Sequence, residues 1–387
     1  MRMCNCLVLA VLMAITVGAS AAEYSVTDLG SLGGKYMIGA GDGAFGINNH
    51  GDVVGCAHPS STSYHAFVYL HGGTTTDLGT LGGSKSEGAG INDSGQVVGY
   101  SDTTAQTADN WHAFLCSNGV MQDVGTLGGP QSQAYAINAG GDVVGWADTD
   151  GRGIHHAFLL HDGVMSDLGT LGGTYSEADA VNDSRQVVGT SAGAGFSGYH
   201  AFLHSNDTIL DLGALNGDTD SGACGINASG RVVGYSYNSS VPDTCHAFLY
   251  TDGRMQDLGS LGGSISWASA INASGDVVGQ SSVSADGDDH AFLYRSGQMA
   301  DLNALVPADC GLLLENATAI NDVGQIVGMG TDSQGNIHAF LLTPAPEPGA
   351  LSLLTVGGLM ALMRRKIEKN ERAVRVGACR PRQRAGY

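Results

Sequence analysis

Residues 88–129 read GAGINDSGQVVGYSDTTAQTADNWHAFLCSNGVMQDVGTLGG, and the same order of marks returns along the chain. Asp-Leu-Gly or a close variant starts at Asp28, Asp77, Asp123, Asp167, Asp211, Asp257 and Asp301. Ile-Asn or Val-Asn ends at Asn48, Asn92, Asn138, Asn182, Asn227, Asn272 and Asn321. His-Ala-Phe starts at His65, His112, His156, His200, His246, His290 and His338, with spacings of 47, 44, 44, 46, 44 and 48 residues. Self-similarity of this length marks a repeat architecture, in which each unit buries its apolar face against its neighbours.

The quoted unit reads as four short strands. One ends in Ile91-Asn92, and the turn Asn92-Asp93-Ser94-Gly95 leads into Val97-Val98-Gly99-Tyr100. Asn, Asp and Gly suit the positive backbone angles of hairpin turns. After a variable stretch comes His112-Ala113-Phe114-Leu115, and the turn Ser117-Asn118-Gly119 leads to Val120-Met121-Gln122-Asp123. Four strands in each of seven units predict an all-β fold, a seven-bladed β-propeller of four-stranded blades. A β-solenoid is the rival, although its rungs are usually shorter. Small residues enter each Ile-Asn, as in Gly88-Ala89-Gly90, Ala134-Tyr135-Ala136 and Ala178-Asp179-Ala180. Small residues suit a crowded ring centre, so this strand is placed innermost and Asp-Leu-Gly outermost. In that phase Tyr24–Leu29 completes the last blade, beside His338-Ala339-Phe340-Leu341, and removes an exposed edge.

Apolar residues make up 43% of the chain and 60 residues are glycine, a composition of strands and tight turns rather than of disorder. Between Glu23 and Thr343 there are seven basic against 34 acidic residues, a formal charge near −27. Such a surface repels phosphate backbones, and no nucleic-acid partner is expected. This body holds Cys56, Cys116, Cys224, Cys245 and Cys310, an odd number with no CxxC spacing, which gives a zinc or thioredoxin-like site no support.

The ends differ from the body. Residues 1–22 read as a signal peptide, with Arg2, the apolar run Leu7–Val17 and the small residues Ala19-Ser20-Ala21. Residues 23–343 form the propeller and 344–349, PAPEPG, a stiff linker. Residues 350–366 form an apolar transmembrane helix ending in Arg364-Arg365-Lys366, and 367–387 a basic cytoplasmic tail. A helix is therefore expected at each end.

Pro346-Glu347-Pro348, the apolar segment and the arginine-rich end with Arg364 and Arg365 resemble the PEP-CTERM sorting signal of Gram-negative bacteria. The resemblance implies an exosortase as partner, transient anchoring in the inner membrane, removal of the tail, and release to the envelope or matrix. The seven units resemble the extracellular HAF repeats, which implies an exported envelope protein and supplies no catalytic residue. The seventh unit departs most, with Leu305-Val306-Pro307 in place of Leu-Gly-Gly and Ala308–Glu315 added.

No catalytic residue, cofactor or metal site is expected. The seven histidines read as structural, each a buried imidazole bonded to nearby backbone. His200 and His204 on one strand stand roughly 13 Å apart, too far for one zinc. Asn-Asp-x-Gly side chains can bond their own turns. Asp286-Gly287-Asp288-Asp289 lacks calcium-loop spacing. Gly189-Thr190-Ser191-Ala192-Gly193 and Gly41-Asp42-Gly43-Ala44-Phe45-Gly46 match GxSxG and GxGxxG without the strand–turn–helix setting these require. The stretch before each His-Ala-Phe varies from unit to unit and shares a face with the blade-to-blade connections. Tyr64, Asp109, Trp111, Asp148, Asp150, Phe196, Tyr199, Asp243 and Asp286 fall there, as binding loops for an extracellular polysaccharide or surface protein. The alternative is a propeller enzyme acting on extracellular polysaccharide, which needs at least two carboxylates converging on the central channel.

Overall fold

The computed structural model describes residues 22–30, 43–60, 63–103, 110–150, 153–195, 198–241, 243–284 and 287–346. Contacts divide the chain into two units, Met1–Thr343 and Pro344–Tyr387. The expected terminal helices, residues 1–21 and 350–366, lie outside the described residues.

The first unit is a seven-bladed β-propeller built of seven antiparallel four-stranded sheets. Blade 2 shows the plan: Ser86–Ile91 innermost, then Val97–Asp102, Trp111–Ser117 and the outer Val120–Asp123. Blade 7 takes its inner three strands from Leu312–Ile320, Ile326–Asp332 and Ile337–Pro344, and its outer strand from Tyr24–Gly30. The N-terminal strand therefore closes the ring, as the repeat phase predicts. In the seventh unit a 3-10 turn, Leu302–Ala304, capped by Asp301, follows the outer strand of blade 6, and the added residues lead into a lengthened inner strand.

The core lies between blades. At each junction the second valine of Val-Val-Gly and the alanine of His-Ala-Phe meet the first valine and the phenylalanine of the next blade. Val98 and Ala113 pack with Val143 and Phe158, and Val188 and Ala201 with Val232 and Phe248. Val327 and Ala339 of blade 7 pack with Val53 and Phe67 of blade 1. Both valines of the pair are buried because each serves a different junction.

The remaining marks make specific bonds. Each histidine sets Nδ1 against the aspartate of its own blade's outer strand at 2.7–3.2 Å, from His65–Asp77 to His290–Asp301. The seventh, His338, reaches Asp28 of the closing strand at 3.0 Å. The expectation of buried imidazoles bonded to backbone is corrected here. The rings are partly exposed, and each is bonded to a carboxylate of the adjacent outer strand. Five of these aspartates also accept from the glycine N–H two residues on, as Asp167 does from Gly169 at 2.7 Å, and Asp301 accepts from Asn303 N, which fixes the turn out of the blade. A serine on each of five inner strands then staples the blades. Ser176 Oγ accepts from Ala157 N at 2.9 Å and donates to Gly169 O at 2.6 Å.

The asparagines form a ring of their own. Asn48 Nδ2 donates to Asn92 O, Asn92 to Asn138, and so on to Asn321, which donates back to Asn48 O. Asn182 also gives its second Nδ2 proton to Gln186 Oε1 at 2.8 Å, and its Oδ1 accepts from the N–H groups of Ser184 and Gln186. All four bonding positions of this amide are filled, and the residue is buried. Asn182→Ala strands the Asn227 carbonyl and two turn N–H groups, so a loss of about 3 kcal/mol is expected in urea unfolding. A loss below about 0.5 kcal/mol would show that the ring contributes little.

The glycine of Val-Val-Gly answers to a β-bulge. In blade 3 Ala134 pairs with Gly145 and Ala136 with Val144, which leaves Tyr135 outside the register. A Cβ on Gly145 would stand 1.9 Å from Gln133 O. The same skip leaves Phe45, Ala89, Asp179, Cys224, Ser269 and Thr318 unpaired on the other inner strands. A bulge re-aims its side chain, and here the bulges lie on the strands that encircle the axis.

Candidate functional site

Three positions per blade are free of the repeat's structural duties and lie near the axis, on the face of the variable loops. One is the residue after the inner-strand serine, one is the bulge, and one follows Val-Val-Gly. In blades 2 to 6 they carry Glu87, Tyr100, Gln133, Tyr135, Trp146, Glu177, Asp179, Cys224, Tyr235 and Trp267. The first and third are cross-strand neighbours, as Glu87 is of Tyr100 and Gln133 of Trp146.

The side chains interlock around the axis. Tyr100 Oη donates to Glu87 Oε2 at 2.9 Å and lies 3.4 Å from Tyr64 Oη. Trp146 Nε1 donates to Tyr135 Oη at 3.0 Å, which donates to Gln133 Oε1 at 3.1 Å. Tyr235 stacks on Trp267 with ring centres 3.7 Å apart and planes at 28°. A row of rings runs outward from Trp146 through His155 and Tyr175 to Tyr199, at 4.5, 4.4 and 5.4 Å. Tyr199 is 45% exposed and forms the open end of the row.

The acids are poised unusually. Burial pushes the Glu177 carboxyl up, opposed by a hydrogen bond from Tyr175. Asp179 is held well above the ordinary carboxylate range, by burial first and the Glu177 charge second. Tyr135 is raised by burial first and then by the charges of Glu177, Asp179 and Glu87, which lie on the blades on either side. Cys224 is pushed up by burial and then by Asp179, and Cys245 is pushed up by burial to about 12. Cys224 and Cys245 form no bridge.

A carboxyl whose pKa is raised on folding holds its proton more tightly in the folded state. Its contribution to stability therefore falls as pH rises from the unfolded carboxylate value toward the folded one. Asp179→Asn is expected to raise the melting temperature at pH 7 and to change it far less at pH 4. A lower melting temperature at pH 7 would contradict the assignment.

The sequence-predicted loop residues divide. Tyr64 and Tyr199 join the aromatic surround. Trp111 opens its blade's third strand and has a buried Nε1 without a hydrogen-bond partner among the described residues. Asp148 is 3% exposed and ends the second strand of blade 3, its carboxyl raised chiefly by burial. Asp150 lies two residues beyond, and Asp243 is exposed at φ 62°. Asp109, Phe196 and Asp286 lie outside the described residues, as do Glu347, Pro348, Arg364 and Arg365 of the sorting motif, while Pro346 is exposed after the last strand. Glu87, Tyr100, Tyr135, Trp146, Glu177, Asp179, Tyr235 and Trp267 escape a reading focused on loops. Aligning the seven units would have shown them, because chemistry changes at these positions while the flanking marks stay constant.

No known protein family matches the chain, and no curated protein does. Among solved structures it is similar to TolB from Acinetobacter baumannii, with TM-score 0.42 and 11% identity over 76% of this chain and 63% of that one. It is also similar to Porphyromonas gingivalis dipeptidyl peptidase 4, with TM-score 0.38 and 12% identity over 73% and 49%. For Trypanosoma rangeli sialidase the TM-score is 0.38, with 11% identity over 85% and 57%. The chain thus spans about half to two thirds of the length of these structures.

Proposed function

We propose that this chain is a non-enzymatic binding module of the bacterial cell envelope or matrix that takes a polysaccharide at the axis of its variable-loop face. The observation that carries the reading is the asymmetry of that axis. Residues that recur in every blade are spent on the ring, whereas the axial positions of blades 2 to 6 gather tyrosine, tryptophan, carboxylates and an amide. Aromatic faces stack on the C–H faces of sugars, and carboxylates and amides accept and donate to hydroxyls. The signal peptide, the HAF resemblance and the sorting motif support export, with exosortase handling and tail removal. The closing strand begins at Tyr24, so cleavage after residue 22 leaves the ring whole. A glycan array probed with the full chain tests the binding. Retention of a defined polysaccharide class is expected, and blank signal on all glycans would overturn the reading.

A second reading, cleavage of a polysaccharide, has one observation in its favour: Glu177 and Asp179 stand together at the axis with raised carboxyls. It calls for release of reducing ends from a bound polysaccharide, abolished by Glu177→Gln. Binding without release leaves the module reading standing.

A further inference from the structure

We propose that the axial site selects a cationic ligand, a polysaccharide whose sugars carry protonated primary amines; this rests on the polysaccharide reading above and narrows it. The charge at the axis is one-sided. None of the residues at the three axial positions of any blade is lysine or arginine, while Glu87, Glu177 and Asp179 stand there. Lys85, at the mouth, holds its Nζ over the Tyr64 ring, 5.6 Å from its centre.

The Asp179 side chain supplies the second observation. It is partly buried at the bulge of its inner strand, with Glu177 as its charged neighbour and no hydrogen-bond donor among the described residues. A partly buried carboxylate without a donor or counter-ion destabilises the fold. A ligand bearing positive charge supplies what the blade does not. On the inner strand of blade 7, Asn316 has a buried Oδ1 without a hydrogen-bond partner among the described residues.

The surroundings favour an organic cation over an inorganic one. Calcium takes six to eight oxygen ligands, on the order of what a dedicated loop provides. Among the described residues no group of three or more His, Cys, Asp or Glu could hold a metal ion. The walls are rings instead: Tyr135, and Tyr235 stacked on Trp267. Ring faces beside carboxylates attract an ammonium carried on an apolar body. An amino sugar has both parts, a C–H face for the rings and an amine for the acids.

The test is calorimetric titration of the full chain at about pH 6 with pentamers of glucosamine, N-acetylglucosamine and glucose, and with calcium chloride. The glucosamine pentamer is expected to bind about tenfold or more tightly than the other two. Asp179→Asn and Glu177→Gln, each shown folded by its melting curve, are expected to remove that preference. Equal affinity for the three pentamers, or a preference that survives both substitutions, would overturn the cationic ligand while leaving the polysaccharide reading intact. Failure of all three pentamers to bind would count against both. Calcium binding abolished by Asp179→Asn would assign the acids to a metal and overturn the inference.

Discussion

Deleting residues 23–30 is expected to unfold the propeller or drive it to aggregate. Tyr24 is 2% exposed and packs with Leu302, Val306 and Leu314. Its N–H and that of Glu23 donate to Leu305 O, and its hydroxyl accepts from Arg295. Removing that ring alone costs about 3–5 kcal/mol, a large share of the stability of an ordinary domain. The deletion also takes Asp28 from His338 and bares the edge of Ile337–Pro344, whose Leu341 and Leu342 are buried. An uncovered apolar edge recruits other chains. Size-exclusion chromatography and thermal melting check this. A monomeric variant melting within a few degrees of the full chain would show that the ring closes without its latch.

Phe202→Ala is expected to destabilise by about 3–5 kcal/mol. The ring is fully buried at the junction of blades 3 and 4, among Val144, Ala157, Ala178 and Val187. Its backbone is held in register with Gly189 and Asp211, so the strand cannot collapse into the space. A repeat array that is open at both ends could yield locally, because each unit touches only its neighbours. A closed ring has no free end, so the loss should appear as one lower midpoint rather than as a new early phase. Urea unfolding followed by both tryptophan fluorescence and circular dichroism distinguishes the two. Non-coincident transitions would contradict a cooperative ring.

Much of this architecture is written in the repeat. Val-Val-Gly and Ala-Phe appear in the structure as the two sides of each junction, and the phase inferred from the small residues before Ile-Asn places the N-terminal strand correctly. The partners of the recurring polar residues were harder to read. Nothing in a local window pairs His112 with Asp123, because the pairing needs the register of two strands. The link from one asparagine to the next crosses 44 residues or more. The axial site was hidden for a different reason. Tyr135 and Asp179 look like exceptions in a run of small residues until the bulge shows that this position turns toward the axis. Loop variation marks the face on which the axial tyrosines, tryptophans and acids lie, on the strand ends beneath the loops.

The division between ring residues and axial residues is tested most directly at Trp267, which stacks on Tyr235 and has no part in the recurring bonds. The measurement is the affinity of Trp267→Ala for whichever of the glucosamine, N-acetylglucosamine and glucose pentamers the unaltered chain binds best. A loss of about tenfold or more is expected, as for an aromatic anchor at the centre of a site, with a melting temperature only a few degrees lower. Unchanged affinity in a folded variant would contradict the placement of the binding site at the axis.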